Sequence, residues 1–305
     1  MVSMWAGLST PKAGGQAVIE GVMMRHGQRM AVAVRTEDGE IDIDSRLVLP
    51  VAERFPVFKW PVLRGMGALV DALRLGIPAL MFSANAQAGS EEEELSAGEM
   101  TAALVLACIL GVGLFVVLPT VVGSFFGHFI EQGIVLNLLE GLVRLVIVVG
   151  YIATISRMPD IGRVFEYHGA EHQVINAWEE KGSPLKQRPP VEMREARQQS
   201  TTHFRCGTSF ILMVAFVSVL LYTLFGWPSI WVRMGVRFLM LPVVGGIAYE
   251  LMNLGAENPH IILRGLLLPG LWIQRLTTRS PDDGQIEVAV AALDRCLHGE
   301  EENGL

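Results

Sequence analysis

The sequence predicts a membrane α-helical bundle of about four transmembrane helices with a small cytoplasmic α+β part. Two observations favour this fold class. Hydrophobic residues make up 51% of the 305 residues and charged residues only 18%, a balance expected of a chain with long lipid-facing stretches. Several uncharged runs are also long enough to cross a ~30 Å hydrocarbon core, which takes about 20 helical residues.

Short alternating runs near the N-terminus predict a β-rich segment. Residues 30–34 and 41–44 flank Glu37-Asp38-Gly39-Glu40, which is a turn signal between strands. Residues 62–82 then mix apolar side chains with charged ones at helical spacing. This pattern predicts an amphipathic helix lying on the membrane surface.

Four apolar stretches are assigned as transmembrane helices: 100–130, 134–156, 208–227 and 235–254. The second carries Glu140 and Arg144 four residues apart, a pair that is costly in lipid unless it faces the bundle interior. A shorter apolar piece, residues 261–273, is interrupted by Arg264 and Pro269. We expect this piece to be interfacial or re-entrant.

The distribution of Lys and Arg predicts the orientation. Residues 121–133 contain none, whereas residues 156–207 contain eight. The long loop is therefore expected to be cytoplasmic, with both termini inside, in a bacterial plasma membrane. Residues 1–15 lack the apolar core of a signal peptide, so we expect insertion to rely on the internal helices.

These assignments divide the chain into six segments. They are a cytoplasmic β-rich segment (1–60), an interfacial amphipathic helix with an acidic linker (61–98), transmembrane helices 1–2 (99–156), a cytoplasmic loop (157–207), transmembrane helices 3–4 (208–254), and an interfacial segment with a cytoplasmic C-terminal helix (255–305).

The start of the cytoplasmic loop contains the string His168-Gly169-Ala170-Glu171-His172. On a helix, His168 and His172 project from one face and could hold one divalent ion, most readily zinc. Glu171 between them is a candidate general base, or a residue that orients a ligand. The alternative is that the pair are surface residues on a helix leaving the membrane.

The end of the same loop contains His203-Phe204-Arg205-Cys206. His203 and Cys206 could complete a tetrahedral site. Four ligands would make the site closed and structural, whereas three would leave a position open for water. A role in helix capping or packing is the alternative for each residue.

Two further strings are expected on the same side of the membrane. Residues 14–25 are Gly-rich with an embedded Glu and Arg but lack the spacing of a phosphate loop, which favours a strand with tight turns. Residues 277–287 read as a helix start, with an acidic or Ser cap, although Asp282 and Asp283 could instead bind a cation or substrate. Glu250 is the remaining carboxylate expected near the site.

The overall charge of −7 comes mainly from two acidic tracts, which are typical of solvated linkers and tails. No basic patch is interleaved with aromatic residues, so we expect no nucleic-acid partner. The three cysteines are too dispersed for a disulfide framework.

The four strings, at 14–25, 159–172, 203–210 and 277–290, resemble domain-of-unknown-function family 1385. This family comprises bacterial and plastid multi-pass membrane proteins that are labelled predicted metal-dependent enzymes. Phe204 stands where that family usually has proline, and Ser280 where it usually has glutamate.

The sequence thus favours a metal-dependent membrane enzyme, hydrolytic in type, with its site at the cytoplasmic membrane face. Membrane lipids would surround it, its substrate would be a lipid headgroup or a membrane peptide, and other membrane proteins are candidate partners. The alternative is a non-enzymatic scaffold or assembly factor whose polar or metal cluster is structural. A transporter is disfavoured because the four spans show no inverted repeat.

Overall fold

The computed structural model describes residues 13–88, 97–181, 191–257 and 261–299. Its strands β1 (Ala13–Val18), β2 (Gly21–His26), β3 (Arg29–Arg35) and β4 (Ile41–Leu47) form an antiparallel sheet in sequential order. The turn between β3 and β4 lies where the sequence predicts it. Gly39 adopts a φ of +87° there, which glycine can do without strain because it has no Cβ.

The α-helices of the described residues are α1 (Val51–Arg54), α2 (Leu63–Asn85), α3 (Ala97–Val112), α4 (Leu118–Phe126), α5 (Gly133–Ile155), α6 (Pro159–Glu180), α7 (Met193–Arg197), α8 (Gly207–Thr223), α9 (Ile230–Glu257), α10 (Ile261–Thr277) and α11 (Asp283–His298). A π-helical turn (Gly113–Val117) joins α3 to α4.

Both faces of the sheet are covered. Leu75 and Ala79 of α2 pack on one face, against a set that includes Val18 and Val32. Helices α6 and α11 pack on the other, around Val22 and Met24. Because neither face meets solvent at the centre, β2 and β3 contain runs of buried residues where a half-exposed strand would alternate.

Four helices in the described part of the chain are long and apolar enough to cross a membrane. These four are α2, α5, α9 and the continuous helix Thr101–Phe126, which includes α4. Length and hydropathy thus make this a multi-pass membrane protein with a small sheet near its N-terminus, as the sequence predicts.

The four helices that are long enough to span a membrane are not the four that the sequence predicts. The stretch assigned as 208–227 forms α8, whose 17 residues span about 25 Å at 1.5 Å per residue. It ends at Thr223 because Gly226 adopts a φ of +66° and Pro228 follows, which together interrupt a helix. Helix α2, expected at the surface, is long and apolar enough to span, and it also packs on the sheet.

The candidate site lies where the sheet meets the bundle. Helix α8 packs among α5, α9 and α10, and a Cβ on Gly270 of α10 would lie 2.6 Å from Ser209 Oγ of α8. Such close approach is typical of small residues between membrane helices. It brings the end of α10 beside the start of α8, and α6 lies against both this junction and β1.

Candidate metal centre

Helix α6 presents the two histidines of the H-x-x-E-H string. Pro159 lies in its first turn after the N-cap Met158, a position where the missing proline N–H leaves no bond unmade. His168 and His172 follow one turn apart, with their ring centroids 4.4 Å from each other. The predicted helical pairing of the two imidazoles is therefore present.

Gly169 lets the chain after α10 lie against α6. A Cβ on Gly169 would lie 2.0 Å from Arg279 O, and Arg279 N donates to Phe165 O at 2.9 Å. This contact places Thr277 O 2.7 Å from His168 Nδ1. A glycine between the two histidines thus positions an acceptor for one of them.

Cys206 is the N-cap residue of α8. Its Sγ accepts from Thr208 N at 3.5 Å and lies 3.2 Å from Thr208 Oγ1. The N-terminus of a helix favours negative charge, which is the charge of a metal-binding thiolate. Cys206 can therefore cap α8 and bind a metal at the same time.

Three of the four predicted ligands converge. One ligand atom each of His168, His172 and Cys206 all lie within 4.8 Å of one another. The separation between His168 Nε2 and Cys206 Sγ is 3.1 Å. In tetrahedral zinc sites, bond lengths of ~2.0–2.3 Å imply ligand separations of roughly 3.3–3.8 Å. The His168–Cys206 pair is thus close to this range, and the group as a whole, within 4.8 Å, would contract by about 1 Å to hold such an ion.

The hydrogen bonds of the rings set their tautomers. His168 Nδ1 faces Thr277 O, and His172 Nδ1 faces Thr201 O at 2.6 Å. A carbonyl only accepts, so each Nδ1 carries the proton and each Nε2 keeps its lone pair. Metal-binding histidines are typically oriented by this same bond from the second ring nitrogen.

One thiol proton cannot satisfy both lone pairs. Cys206 contacts His168 Nε2 directly and is also within hydrogen-bonding reach of the His172 side chain. Burial lowers the pKa of His172, which favours the neutral ring that binds metals. Two ring nitrogens and one sulfur therefore face one another, and a divalent cation would be bound by them with the rings neutral and the thiol deprotonated.

His203 does not join this group. Its Nε2 lies 3.4 Å from Glu179 Oε2, and Arg205 also pairs with Glu179. The Gln274 side chain holds the His203 backbone through two bonds of 2.8 Å: His203 N donates to Gln274 Oε1, and Gln274 Nε2 donates to His203 O. Of the four predicted ligands, the group that converges among the described residues contains three, and the His203 ring instead faces Glu179.

Glu171 faces the sheet. It is only 5% exposed, and its carboxylate accepts a bond from the backbone of Ala17 in β1. Burial raises the pKa of this carboxyl to about 7, opposed by the charge of His168 and by the Ala17 bond. A carboxyl with such a pKa can exchange a proton near neutrality.

A cavity of about 480 Å³ joins these groups. His168, His172, Cys206 and Glu171 all line it. Gly14 to Ala17 of β1 form one wall, and Tyr249, Met252 and Asn253 of α9 form another. The predicted base and the three converging donors therefore share one space between the sheet and the bundle.

The remaining predicted strings have other roles. Residues 14–25 form strands β1 and β2 with a tight turn at Glu20, and Glu20 pairs with Arg163 at 2.5 Å. Asp282 is the N-cap of α11 in a capping box with Gln285. Glu250 pairs with Arg64. None of these carboxylates belongs to the three-donor group.

Two contributors lay outside the sequence prediction. The acceptors that orient the rings are the backbone carbonyls of Thr201 and Thr277. A backbone carbonyl carries no residue signature, so nothing in the sequence marks these positions. Gln274 holds the backbone of His203, and the sequence marks it as a polar residue inside a largely apolar helix.

The fold and cluster define a class of multi-pass membrane proteins with a His–His–Cys group beside a sheet-lined cavity. The chain belongs to the family described as "Protein of unknown function (DUF1385)", whose model matches residues 60–299. It is 34% identical over 301 residues to "Uncharacterized protein YqhQ" of Bacillus subtilis (strain 168), covering 94% of this chain and 92% of that protein. No solved structure matches it.

Proposed function

We propose that the protein is a metal-dependent membrane enzyme of hydrolytic type, in which His168, His172 and Cys206 bind one zinc ion. The observation that carries the proposal is that one ring nitrogen each of His168 and His172 and the sulfur of Cys206 lie within 4.8 Å of one another. Mixed nitrogen and sulfur donors suit zinc, whereas magnesium and calcium prefer oxygen.

Three protein donors and an adjoining cavity support a catalytic site over a closed one. Structural zinc sites have four protein ligands, while catalytic sites have three and keep one position for water or substrate. A zinc ion in such a site supplies a Lewis acid and lowers the pKa of bound water. The carbonyls of Thr277 and Thr201 hold the two rings in place for this purpose.

Glu171 would move the proton. It lines the same cavity as the three donors, and burial raises its pKa to about 7. As a carboxylate it would accept a proton from an attacking water and then return it to the leaving group. The Ala17 N–H fixes the carboxylate against β1 during this exchange.

The position of the cavity supports a substrate from the membrane surface. It lies between the sheet and the ends of bundle helices, with walls from β1 and α9. A lipid headgroup or the exposed part of a membrane peptide would have access there. We place this surface at the cytoplasmic face of a bacterial plasma membrane, because Lys and Arg are concentrated on that side.

One observation favours a structural role as the second candidate. The two rings link α6 to the loop before α8 and to the end of α10, so a metal here would hold three distant segments together. In that case the protein would be a scaffold or assembly factor. This candidate requires a fourth protein ligand, and His203 is the nearest histidine, with its ring centroid 5.8 Å from that of His172.

Elemental analysis tests the ligand set. We expect about one zinc per chain in gently purified wild type and loss of zinc in His168→Ala, His172→Ala and Cys206→Ala. His203→Ala is the matched control, because it removes an imidazole of the same loop that lies outside the group. A wild type that neither carries zinc nor regains it on reconstitution would overturn the proposal.

Cobalt substitution separates the enzyme from the scaffold. Co²⁺ bound by nitrogen and sulfur gives visible absorption, and azide binds only where a coordination position is open. We expect azide to change the spectrum of the wild type and of His203→Ala alike. A spectrum that azide leaves unchanged would indicate a closed site and favour the scaffold.

A further inference from the structure

A second polar cluster lies at the opposite end of the bundle. Arg144 of α5 and Arg233 and Arg237 of α9 surround the carboxylate of Glu140. The distances from the guanidinium nitrogens to the carboxylate oxygens are 2.5 Å for Arg237, 3.2 Å for Arg144 and 3.8 Å for Arg233. One carboxylate is thus shared by three cations.

This cluster carries excess positive charge in an apolar setting. Three arginines and one glutamate leave two positive charges, and the exposed fractions are 2% for Glu140, 4% for Arg237 and 5% for Arg233. The helices that hold them are long and apolar enough to span a membrane. Uncompensated charge there is costly, so ionisable groups in membranes usually pair or serve a ligand.

Several donors in the cluster have no acceptor. Arg237 Nη1 donates to Thr120 Oγ1 at 2.9 Å, and Arg144 Nη1 donates to Ser218 Oγ at 2.8 Å. Nε of Arg237 is buried without any hydrogen-bond partner among the described residues. Nε and Nη1 of Arg233 also have none, but its guanidinium lies over the Trp227 ring, 3.6 Å from the centroid. Buried guanidinium donors of this kind favour an anion with several acceptor oxygens.

A cavity of about 320 Å³ adjoins the cluster and has two unlike ends. Arg144, Ser218, Tyr222 and Arg237 line it at the level of the cluster. Farther along the same helices, toward the metal centre, its lining is apolar and includes Val148, Ile152, Ile211, Val214 and Val244. No carboxylate is among the described residues that line it.

The arginine end of the cavity matches the headgroup of a lipid in one leaflet, and the apolar end matches its acyl chain. Arg233 and Arg237 lie in the first turns of α9, near one end of the bundle, and the apolar lining continues from them toward the bundle centre. We propose that this cavity binds an anionic phospholipid, with its phosphate on Arg144 and Arg237, the two arginines that line it, and an acyl chain along the apolar lining. Arginine forks match phosphate oxygens, and basic pockets between membrane helices bind lipid phosphates.

Native mass spectrometry of the delipidated full-length protein tests this site. Phosphatidylglycerol is added to wild type, Arg237→Gln and Arg144→Gln. We expect each substitution to weaken binding by about tenfold, because charge-assisted hydrogen bonds to the phosphate are lost. Arg157→Gln is the matched control: it makes the same charge change at an exposed residue two positions beyond the other end of α5 and should bind like wild type.

Two further arms keep the proposal decidable if an arginine variant fails to fold. Val214→Phe fills the apolar part of the cavity without changing charge, and we expect it to weaken phosphatidylglycerol binding as well. Diacylglycerol, which has the same chains and no phosphate, should bind the wild type more weakly.

Three outcomes would overturn the proposal. The first is that Val214→Phe binds phosphatidylglycerol as well as the wild type does. The second is that the wild type binds diacylglycerol as well as phosphatidylglycerol. The third is that inorganic phosphate stabilises the protein as much as phosphatidylglycerol does. The last would place a free anion in the site.

Discussion

Gly15 of β1 lies so close to Glu171 of α6 that a Cβ at position 15 would be 2.9 Å from both Cγ and Cδ of the glutamate. The same Cβ would lie 2.8 Å from Met23 O. The backbone of β1 therefore forms part of the pocket that holds the candidate base. Strand β1 is far from the H-x-x-E-H string in sequence, yet it limits where the Glu171 carboxylate can lie.

Gly15→Ala is expected to lower stability and displace Glu171. Relieving both short contacts requires the strand or the glutamate to shift, which typically costs about 1–3 kcal/mol. Thermal unfolding of the metal-free protein in detergent measures this loss. The adjacent Gly14→Ala is the matched control, since no atom lies within 4 Å of its Cβ position and its stability should be unchanged or slightly raised.

A double variant isolates the contact with the glutamate. In a Glu171→Ala background, Gly15→Ala should cost less than it does in the wild type, because one of its two close neighbours is gone. Equal costs in both backgrounds would show that Met23 O alone limits position 15, and that Gly15 does not position Glu171.

The native thiols should differ sharply in reactivity. Burial raises the pKa of the Cys296 thiol from 9.0 to about 12, although nearby arginines and backbone donors oppose the shift. Its thiolate fraction at pH 8 should then be about a thousandfold below that of an ordinary thiol. Deprotonation in the folded protein begins only as the pH rises toward 12, so Cys296 should resist alkylation.

Cys206 provides the comparison within the same chain. It lines the cavity beside two histidines, so an alkylating reagent should modify it in the metal-free protein and zinc should protect it. A mass-spectrometric time course at pH 8 follows both residues, and unfolded protein gives the rate of unprotected thiols. Rapid modification of Cys296 in folded protein, or no zinc protection of Cys206, would contradict these expectations.

Local patterns in the sequence predicted much of the fold. The turn at 37–40 and the cap at Asp282 depend on neighbouring residues, so local rules suffice for them. The length of α8 was misjudged because hydropathy continues past Thr223, whereas Gly226 and Pro228 end the helix. The packing of α2 on the sheet was missed because the same apolar face would suit a membrane surface.

The candidate site was predictable in membership but not in geometry. His168 and His172 follow from helical spacing alone. The His203 backbone is held by Gln274, which is 71 residues away in the chain, and no local pattern contains that relationship. The arginine cluster has the same limit: Glu140 and Arg144 are visible as a pair, but the approach of Arg233 and Arg237 requires the packing of α4 and α8 against both α5 and α9.

The orientation of the protein in its membrane can be tested at two exposed residues. His128 lies in the turn before α5, near the arginine cluster, and Arg194 lies on α7, beside α6. Because Lys and Arg are concentrated on the side of the metal centre, we expect this side to be cytoplasmic.

A membrane-impermeant maleimide should therefore label His128→Cys on intact bacterial cells and label Arg194→Cys only after permeabilisation. Wild type, labelled in the same way with and without permeabilisation, measures the background from the three native cysteines, Cys108, Cys206 and Cys296, and this background is subtracted from each variant. Labelling of Arg194→Cys on intact cells would reverse the orientation, and the candidate metal centre would then face the outside of the cell.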